Sequence, residues 1–511
     1  LKGFTHIYGH RWDEDRDGIR NCELADDANY LTKRGYSVSE VLCPTCPFFN
    51  ECELTGYRSQ FKGRKNRAYV HAHAFTRYPE LEDVVIADEL THKTFIDTME
   101  IRDSDITLTL AAGRLPLPEP QRKLLEAITK LFQMPGLDTT DGAALYELLD
   151  AQFPGLRDID TWSDGNPLQG ALWDAANDYQ KAVNHNHTVI APAPVATPAL
   201  PQNFAKLLIE LMSDDVDRLN RGQSVSGRVR LVNHSVTGKR WLELTYNRGP
   251  LPGEWYAKRP TIILNATADA DIMQEIAGPL LVYAPHVAIA AGNTIVQDVT
   301  YNNAVSSHSG TTDSAKRQRE KWIERIKAHI DAHPGGEADT VIMVAKENAK
   351  ILTTTFPDAI VAYYMNLEGR NDLQRGLTIL AGAVPINIDA IKREAAALWP
   401  GIDATMTRRT VAFDYANAAG EILATEQIDA VDKRLSRLIA QHRDAPAVQA
   451  AHRSRIISRT GRNVTILFSR PIPDLPPTQI ITDRETISRA GVQKSNSLNK
   501  LIDAANQLIG N

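Results

Sequence analysis

LEDVVIADELTH, residues 81–92, is the stretch from which the rest of the chain is read. Val84, Val85 and Ile86 form a short apolar run that leads into Asp88 and Glu89. An unbroken run of this kind reads as a buried parallel strand, and its C-terminal end delivers two carboxylates to a site. The pattern recurs outward along the chain. RPTIILNATADADIM (259–273), DTVIMVAKENAKIL (339–352), AIVAYYMNLEGRNDL (359–373), LTILAGAVP (377–385) and NVTILF (463–468) are apolar runs that end in polar or small residues. Helical periodicity fills residues 117–155 and 168–184, NFAKLLIELM (203–212), AKRQREKWIERIKAHIDAH (315–333) and a stretch around 447–457. Strands alternating with helices predict an α/β protein with two parallel sheets in series. GRVRLVNHS and RWLELTYN have strand-like alternation, and TVAFDYAN with EILATEQ predicts a hairpin. APAPVATPALP, 191–201, suits only a connector.

At 511 residues the chain is too long for a single core, so several domains are expected. Hydrophobic content of 43% and charged content of 23% are those of a soluble globular protein. No apolar run reaches about 18 residues, which excludes a spanning helix. The opening LKGFTHIYGHRW has neither a secretory pattern nor an initiator Met, so a cytoplasmic fragment or processed chain is expected. The net charge of −6 hides basic segments. Tyr57–Tyr78 holds six Lys or Arg and no acid, and residues 430–500 hold 13 basic and 5 acidic side chains. Such segments predict a localised anion-binding face or a solvated basic surface. In Tyr57, Arg58, Phe61, Lys62, Arg64, Lys65, Arg67 and Tyr69, cations are interleaved with aromatics. Cations follow phosphates and aromatics stack on unpaired bases, although local core packing explains the aromatics equally well.

All four cysteines, Cys22, Cys43, Cys46 and Cys52, lie within one short segment. A C-x2-C pair flanked by two isolated cysteines, with no export signal, reads as metal ligation ahead of free thiols or disulfides. Zinc ribbons pair one C-x2-C with a second, so gaps of twenty and five residues favour an iron–sulfur cluster, with zinc as the alternative. Pro44 and Pro47 stiffen the loop. His71 and His73 are spare nitrogen donors, but four cysteines already close a site.

Two adjacent acids at a strand end are what NTPases use to hold Mg2+ and to orient the attacking water. ILNATAD (263–269) follows a second apolar strand, NLEGRND (366–372) is a loop after a third, and VQAAHRSRII (448–457) sets Gln449 and Arg453 on one helix face with Arg455 beyond them. The order DE, NAT, GRND and Q-x3-R-x-R resembles motifs II, III, V and VI of superfamily 2 helicases. Cysteines ahead of the DE motif, and GYRSQ and AYVHAHAFTRY after them, resemble the iron–sulfur subgroup of XPD and DinG, including phage and mobile-element replication helicases.

The resemblance implies two RecA-like parallel-sheet domains with a cysteine-ligated cluster insertion and a mainly helical insertion. The implied boundaries are 1–95 for a partial first domain holding the cluster insertion (about 18–60) and 96–250 for the arch-like insertion. Residues 251–300 complete the first domain, 305–480 form the second, and 481–511 are a tail. The resemblance further implies ATP-dependent unwinding of DNA in replication or repair, with single-stranded and duplex DNA as partners and primase or other replication proteins nearby. Asp88 would bind Mg2+ and Glu89 would position water. Arg453 and Arg455 would stabilise phosphoryl charge, with Gln449 sensing nucleotide. Thr267, Asp269, Arg370, Asn371 and Asp372 would serve the nucleotide site.

The sequence also departs from the pattern. His92 falls one place later than in DEAH, and His452 stands where motif VI has Gly. No GxxxxGK[ST] is present, and TGKRW (237–241) is the nearest text. A missing N-terminal segment is expected to hold that phosphate loop, so this chain alone is expected to hydrolyse ATP poorly. The alternative is a zinc-bearing DNA-binding protein with a degenerate ATPase core, serving as a replication platform.

Overall fold

The computed structural model describes residues 4–6, 22–28, 38, 42–61, 68–70, 85–88, 91–111, 118–134, 139–163, 204–233, 239–247, 260–265, 267–283, 290, 292–298, 308–364, 367, 372–416, 422–456, 463–468, 472, 475 and 477–481. Two compact units emerge. The first takes Leu1–Leu264, Glu275–Gly278 and Arg393–Ile402, and the second takes Asn265–Gln274, Pro279–Lys392 and Asp403–Asn511.

In the first unit, β1 (Phe4–His6) and β2 (Ala68–Val70) form a parallel pair, and the cysteine segment with its helix α1 (Phe49–Leu54) lies between them in the chain. β3 (Val85–Asp88) leads to β4 (Ile96–Arg102) and then to helices α2 (Asp103–Ala111), α3 (Glu119–Gln133), α4 (Gly142–Gln152), α5 (Ile159–Ser163) and α6 (Phe204–Asn220). β5 (Val229–Asn233), β6 (Arg240–Asn247) and β7 (Thr261–Leu264) follow. The expected strand-like text at 227–247 is the antiparallel pair β5–β6, which β4 extends to a three-stranded sheet.

The helices pack on that sheet through regular apolar stripes. On α3, Leu124, Leu125, Ile128, Leu131 and Phe132 recur at helical spacing and are buried, while Arg122 and Glu126 pair at 2.6 Å on the exposed face. Leu145, Tyr146 and Leu149 of α4 meet Leu208, Leu211, Met212 and Val216 of α6 in the same core. Each such side chain contributes about 1.5–3 kcal/mol on burial. Within the core, Asp215 is fully buried and accepts the Tyr146 hydroxyl at 2.7 Å and the Ser226 N–H at 2.6 Å. Glu243 is also buried and accepts from Arg393 at 2.9 Å and from Arg230 at 3.4 Å.

β3 and β7 pair in parallel, with Ile86 opposite Ile262 and Asp88 opposite Leu264. The parallel strand expected at 84–88 is therefore present, but it is not buried. Ile86 is 65% exposed, Ile262 49% and Leu264 50%. Only two strands are paired in this sheet among the described residues, so that apolar face is open.

The second unit is built on six parallel strands in the order β10–β9–β11–β14–β8–β15. They are β8 (Thr294–Asp298), β9 (Thr340–Val344), β10 (Ile360–Tyr363), β11 (Leu377–Leu380), β14 (Val464–Leu467) and β15 (Gln479–Ile481). Helices α8 (Asp313–Ala332), α9 (Lys346–Thr355) and α11 (Lys433–His452) belong to this unit, while α7 (Ala270–Ala277) and α10 (Ile388–Leu398) begin in it and end in residues of the first. Alternation in β9 divides its side chains between two cores. Val341 and Met343 join Ala447, Ala450 and Ala451 of α11, while Ile342 and Val344 join Trp322, Ile326 and Ile330 of α8. A sheet covered on both faces explains its unbroken apolar strands. The expected hairpin is β12 (Met406–Ala416) with β13 (Ile422–Ala430). The α/β class read from the sequence is the observed one.

Candidate functional site

The four cysteines are free thiols, all partly buried, and they line one cavity with Leu42, Phe49 and Arg58. Local backbone geometry positions each of them. Cys22 accepts the Ala25 N–H at 3.1 Å as the chain enters a helical turn. Cys43 opens a 3-10 turn with Pro44 in its first positions, and the Cys46 N–H closes it on the Cys43 carbonyl at 3.2 Å. Pro44 suits this place because its fixed φ is that of a first helical residue and its missing N–H has no partner to lose. Cys52 lies on α1, and its sulfur accepts the Arg58 N–H at 3.4 Å.

Burial pushes the Cys22 thiol up to about 12, and the charges of Cys52, Cys46 and Cys43 push it the same way. Burial likewise raises Cys43, against the opposing pull of the Arg58 guanidinium, and raises Cys46. The four sulfurs therefore sense one another electrostatically while half-buried. Thiolates are costly there unless a cation joins them, which is the chemistry of a metal site.

The DE segment is described as far as Asp88, whose backbone ends β3; Glu89 lies outside the described residues. Asn265 follows Leu264 directly, so the loop that begins with it leaves the C-terminal end of the strand paired to β3. This loop is closely organised. Asn265 Oδ1 accepts the N–H groups of Thr267 at 2.8 Å and Ala268 at 2.9 Å, and Asp269 Oδ1 accepts those of Asp271 at 2.9 Å and Ile272 at 3.1 Å, capping α7. Gln441 of α11 then brackets the loop, accepting the Asp269 N–H at 2.8 Å and donating Nε2 to the Thr267 carbonyl at 2.8 Å. Arg437, one turn earlier, pairs with Asp271.

α11 runs from Lys433 to His452 rather than over 447–457, with Pro446 inside it. Gln449 is on the helix, and Arg453 caps it with helical angles of φ −63 and ψ −24. Arg455 is not on the helix. Its φ of 61 is left-handed, and its N–H returns to the His452 carbonyl at 2.9 Å, which ends the helix before it. His92, out of register with DEAH, is buried with Nε2 at 2.8 Å from the Glu394 carboxylate. Asp372 is exposed, and Tyr57 and Arg58 sit in a short 3-10 helix behind the last cysteine. Arg370, Asn371, Lys62, Arg64, Lys65, Arg67, His71 and His73 lie outside the described residues. Gln441 is the residue that the sequence pattern did not reveal, because a side chain bonded to backbone across more than 170 positions leaves no local periodicity.

The chain is similar to a solved structure titled "XPD_Helicase", with a TM-score of 0.41 and 10% identity over 91% of this chain and 82% of that one. So slight a likeness assigns no activity. No family model matches the sequence, and no curated protein matches it. What the fold and cavity define is a class: an α/β protein with a six-stranded parallel sheet and a four-cysteine pocket. Among the described residues, no helix is long and apolar enough to cross a membrane.

Proposed function

We propose that this chain is the core of an ATP-dependent DNA helicase that carries an iron–sulfur centre. The observation that carries the reading is the β3–β7 pair. It ends VIAD and TIIL side by side in parallel, with Asp88 opposite Leu264. Open parallel sheets bind ligands at that edge. Asp88 would hold Mg2+ and Glu89 the attacking water. Thr267 and Asp269, with Arg370, Asn371 and Asp372, would sense nucleotide. Gln449, Arg453 and Arg455 would meet the γ-phosphate, although Arg455 acts from a turn rather than a helix.

Cys22, Cys43, Cys46 and Cys52 would hold a four-iron core in preference to zinc. Zinc at about 2.3 Å from each of four sulfurs needs them about 3.8 Å apart. A four-iron core gives each cysteine its own iron, and the gaps of twenty and five residues flanking the C-x2-C pair favour it over the paired motifs of a zinc ribbon. When bound, the core would brace this segment covalently. The basic run Tyr57, Lys62, Arg64, Lys65 and Arg67 would follow a DNA strand beside it.

DNA-stimulated ATP hydrolysis tests the assignment. Glu89→Gln should bind ATP without turnover, and undiminished hydrolysis by that variant overturns it. Anaerobic purification tests the metal, since a colourless protein with one zinc per chain rejects the iron–sulfur core. A second reading is a zinc-bearing DNA platform with a degenerate ATPase core. It expects DNA affinity that nucleotide does not change.

A further inference from the structure

Arg58 belongs to the basic run after the last cysteine, yet its side chain lines the cysteine cavity. Its backbone N–H donates to Cys52 Sγ at 3.4 Å, and its guanidinium carbon sits 4.5 Å above the centre of the Phe49 ring, another wall of the cavity. This cation–π contact fixes the direction of a long side chain. Nε lies 3.6 Å from the Glu53 carboxylate, beyond hydrogen-bond length, and it is buried with no acceptor among the described residues. A buried N–H left without an acceptor is costly, and it belongs to a side chain that helps to line the four-cysteine cavity. The charge of the guanidinium also opposes the burial that raises the Cys43 thiol.

We propose that Arg58 is the outer-sphere donor to the metal centre, hydrogen-bonded to its sulfur atoms and setting its reduction potential. The inference rests on the iron–sulfur reading above. Four thiolates around a core of charge +2 leave the unit at −2, and uptake of one electron from a reductant such as dithionite takes it to −3. A fixed guanidinium stabilises the more negative state and so raises the potential, the usual effect of hydrogen bonds and positive charge beside such a core.

The test compares wild type, Arg58→Gln and Arg58→Lys after anaerobic reconstitution with iron and sulfide. Iron and acid-labile sulfide are counted, and reduction by dithionite is followed by electron paramagnetic resonance. All three proteins are expected to load equally. At the wild-type midpoint, Arg58→Gln should show a reduced-to-oxidised ratio about tenfold lower, which is about 59 mV for one electron. Arg58→Lys, with the charge but not the planar fork, should fall between them. A loaded Arg58→Gln with the wild-type midpoint overturns the proposal, and so does a variant altered only in DNA affinity. Should Arg58→Gln fail to hold the core, Arg58→Lys is expected to hold it, and loss from both overturns the assignment. Wild type that takes up zinc and no sulfide rejects the iron–sulfur reading itself, a result separate from any variant.

Discussion

Removing Cys22 should change proton release on metal binding by a whole proton, even in alkaline solution. Burial lifts this thiol to about 12, and the sulfurs of Cys52, Cys46 and Cys43 add to the lift. An ordinary exposed thiol titrates near 8.5, so at pH 9 it retains about a quarter of its proton. Four such thiols would release about one proton in total as a metal converts them to thiolates. Cys22 alone should release one full proton at pH 9, and Cys43 and Cys46, both raised by burial, should each exceed the ordinary share. The total for wild type should therefore stand well above one. The assay adds zinc or cobalt to reduced, metal-free protein in weak buffer and records the titrant needed to hold pH 9. Cys22→Ser should lower the count by about one proton. A drop of only about a quarter, with wild type itself releasing about one, would show Cys22 to be an ordinary exposed thiol and refute the buried four-sulfur pocket.

Three further outcomes follow from the packing. Tyr146→Phe removes a donor to the buried Asp215 carboxylate and should cost about 1.5–3 kcal/mol in urea melts, with Asp215→Asn and the double variant closing the cycle. Because burial raises the Tyr146 hydroxyl well above its usual range, its contribution is intact below about pH 10 and declines as pH rises further, so Tyr146→Phe should remove that alkaline loss. Gln441→Ala breaks two hydrogen bonds to the 267–269 backbone and should speed amide exchange there, visible by mass spectrometry, while β9 amides stay protected; unchanged exchange at 267–269 would sink the bracket.

What the sequence made legible was whatever local pattern encodes. The apolar runs at 340–344, 377–380 and 464–467 are buried because both faces of their sheet are covered, and covering on both faces is what writes an unbroken apolar run. The cysteine spacing was legible because all four cysteines line one cavity. The DE strand shows the limit of such reasoning, since Ile86 has the same apolar look but an open face. Only the neighbouring layer decides burial, and the run itself does not encode that layer. The sequence does not mark the bounds of α11, because Pro446 disfavours a helix interior, whereas buried Leu435, Leu438 and Ile439 on one side of it and Ala447, Ala450 and Ala451 on the other hold the helix through it. β4 was hidden for a related reason. Its sequence IDTMEIR alternates only partly, and its pairing with β6 joins residues about 145 positions apart.

The strand order of the six-stranded sheet bears on how the chain is made. β8 is the first of these strands to leave a ribosome, yet both its neighbours, β14 and β15, are the last. Until residues 464–481 emerge, TIVQD has two unsatisfied edges, while β9, β10 and β11 can already pair among themselves. The nascent chain therefore carries an unpaired strand with two open edges through most of the synthesis of this unit, the condition under which chaperones are recruited and aggregation competes with folding. A truncation anywhere between 300 and 460 would keep that strand and delete both of its partners, so it should aggregate.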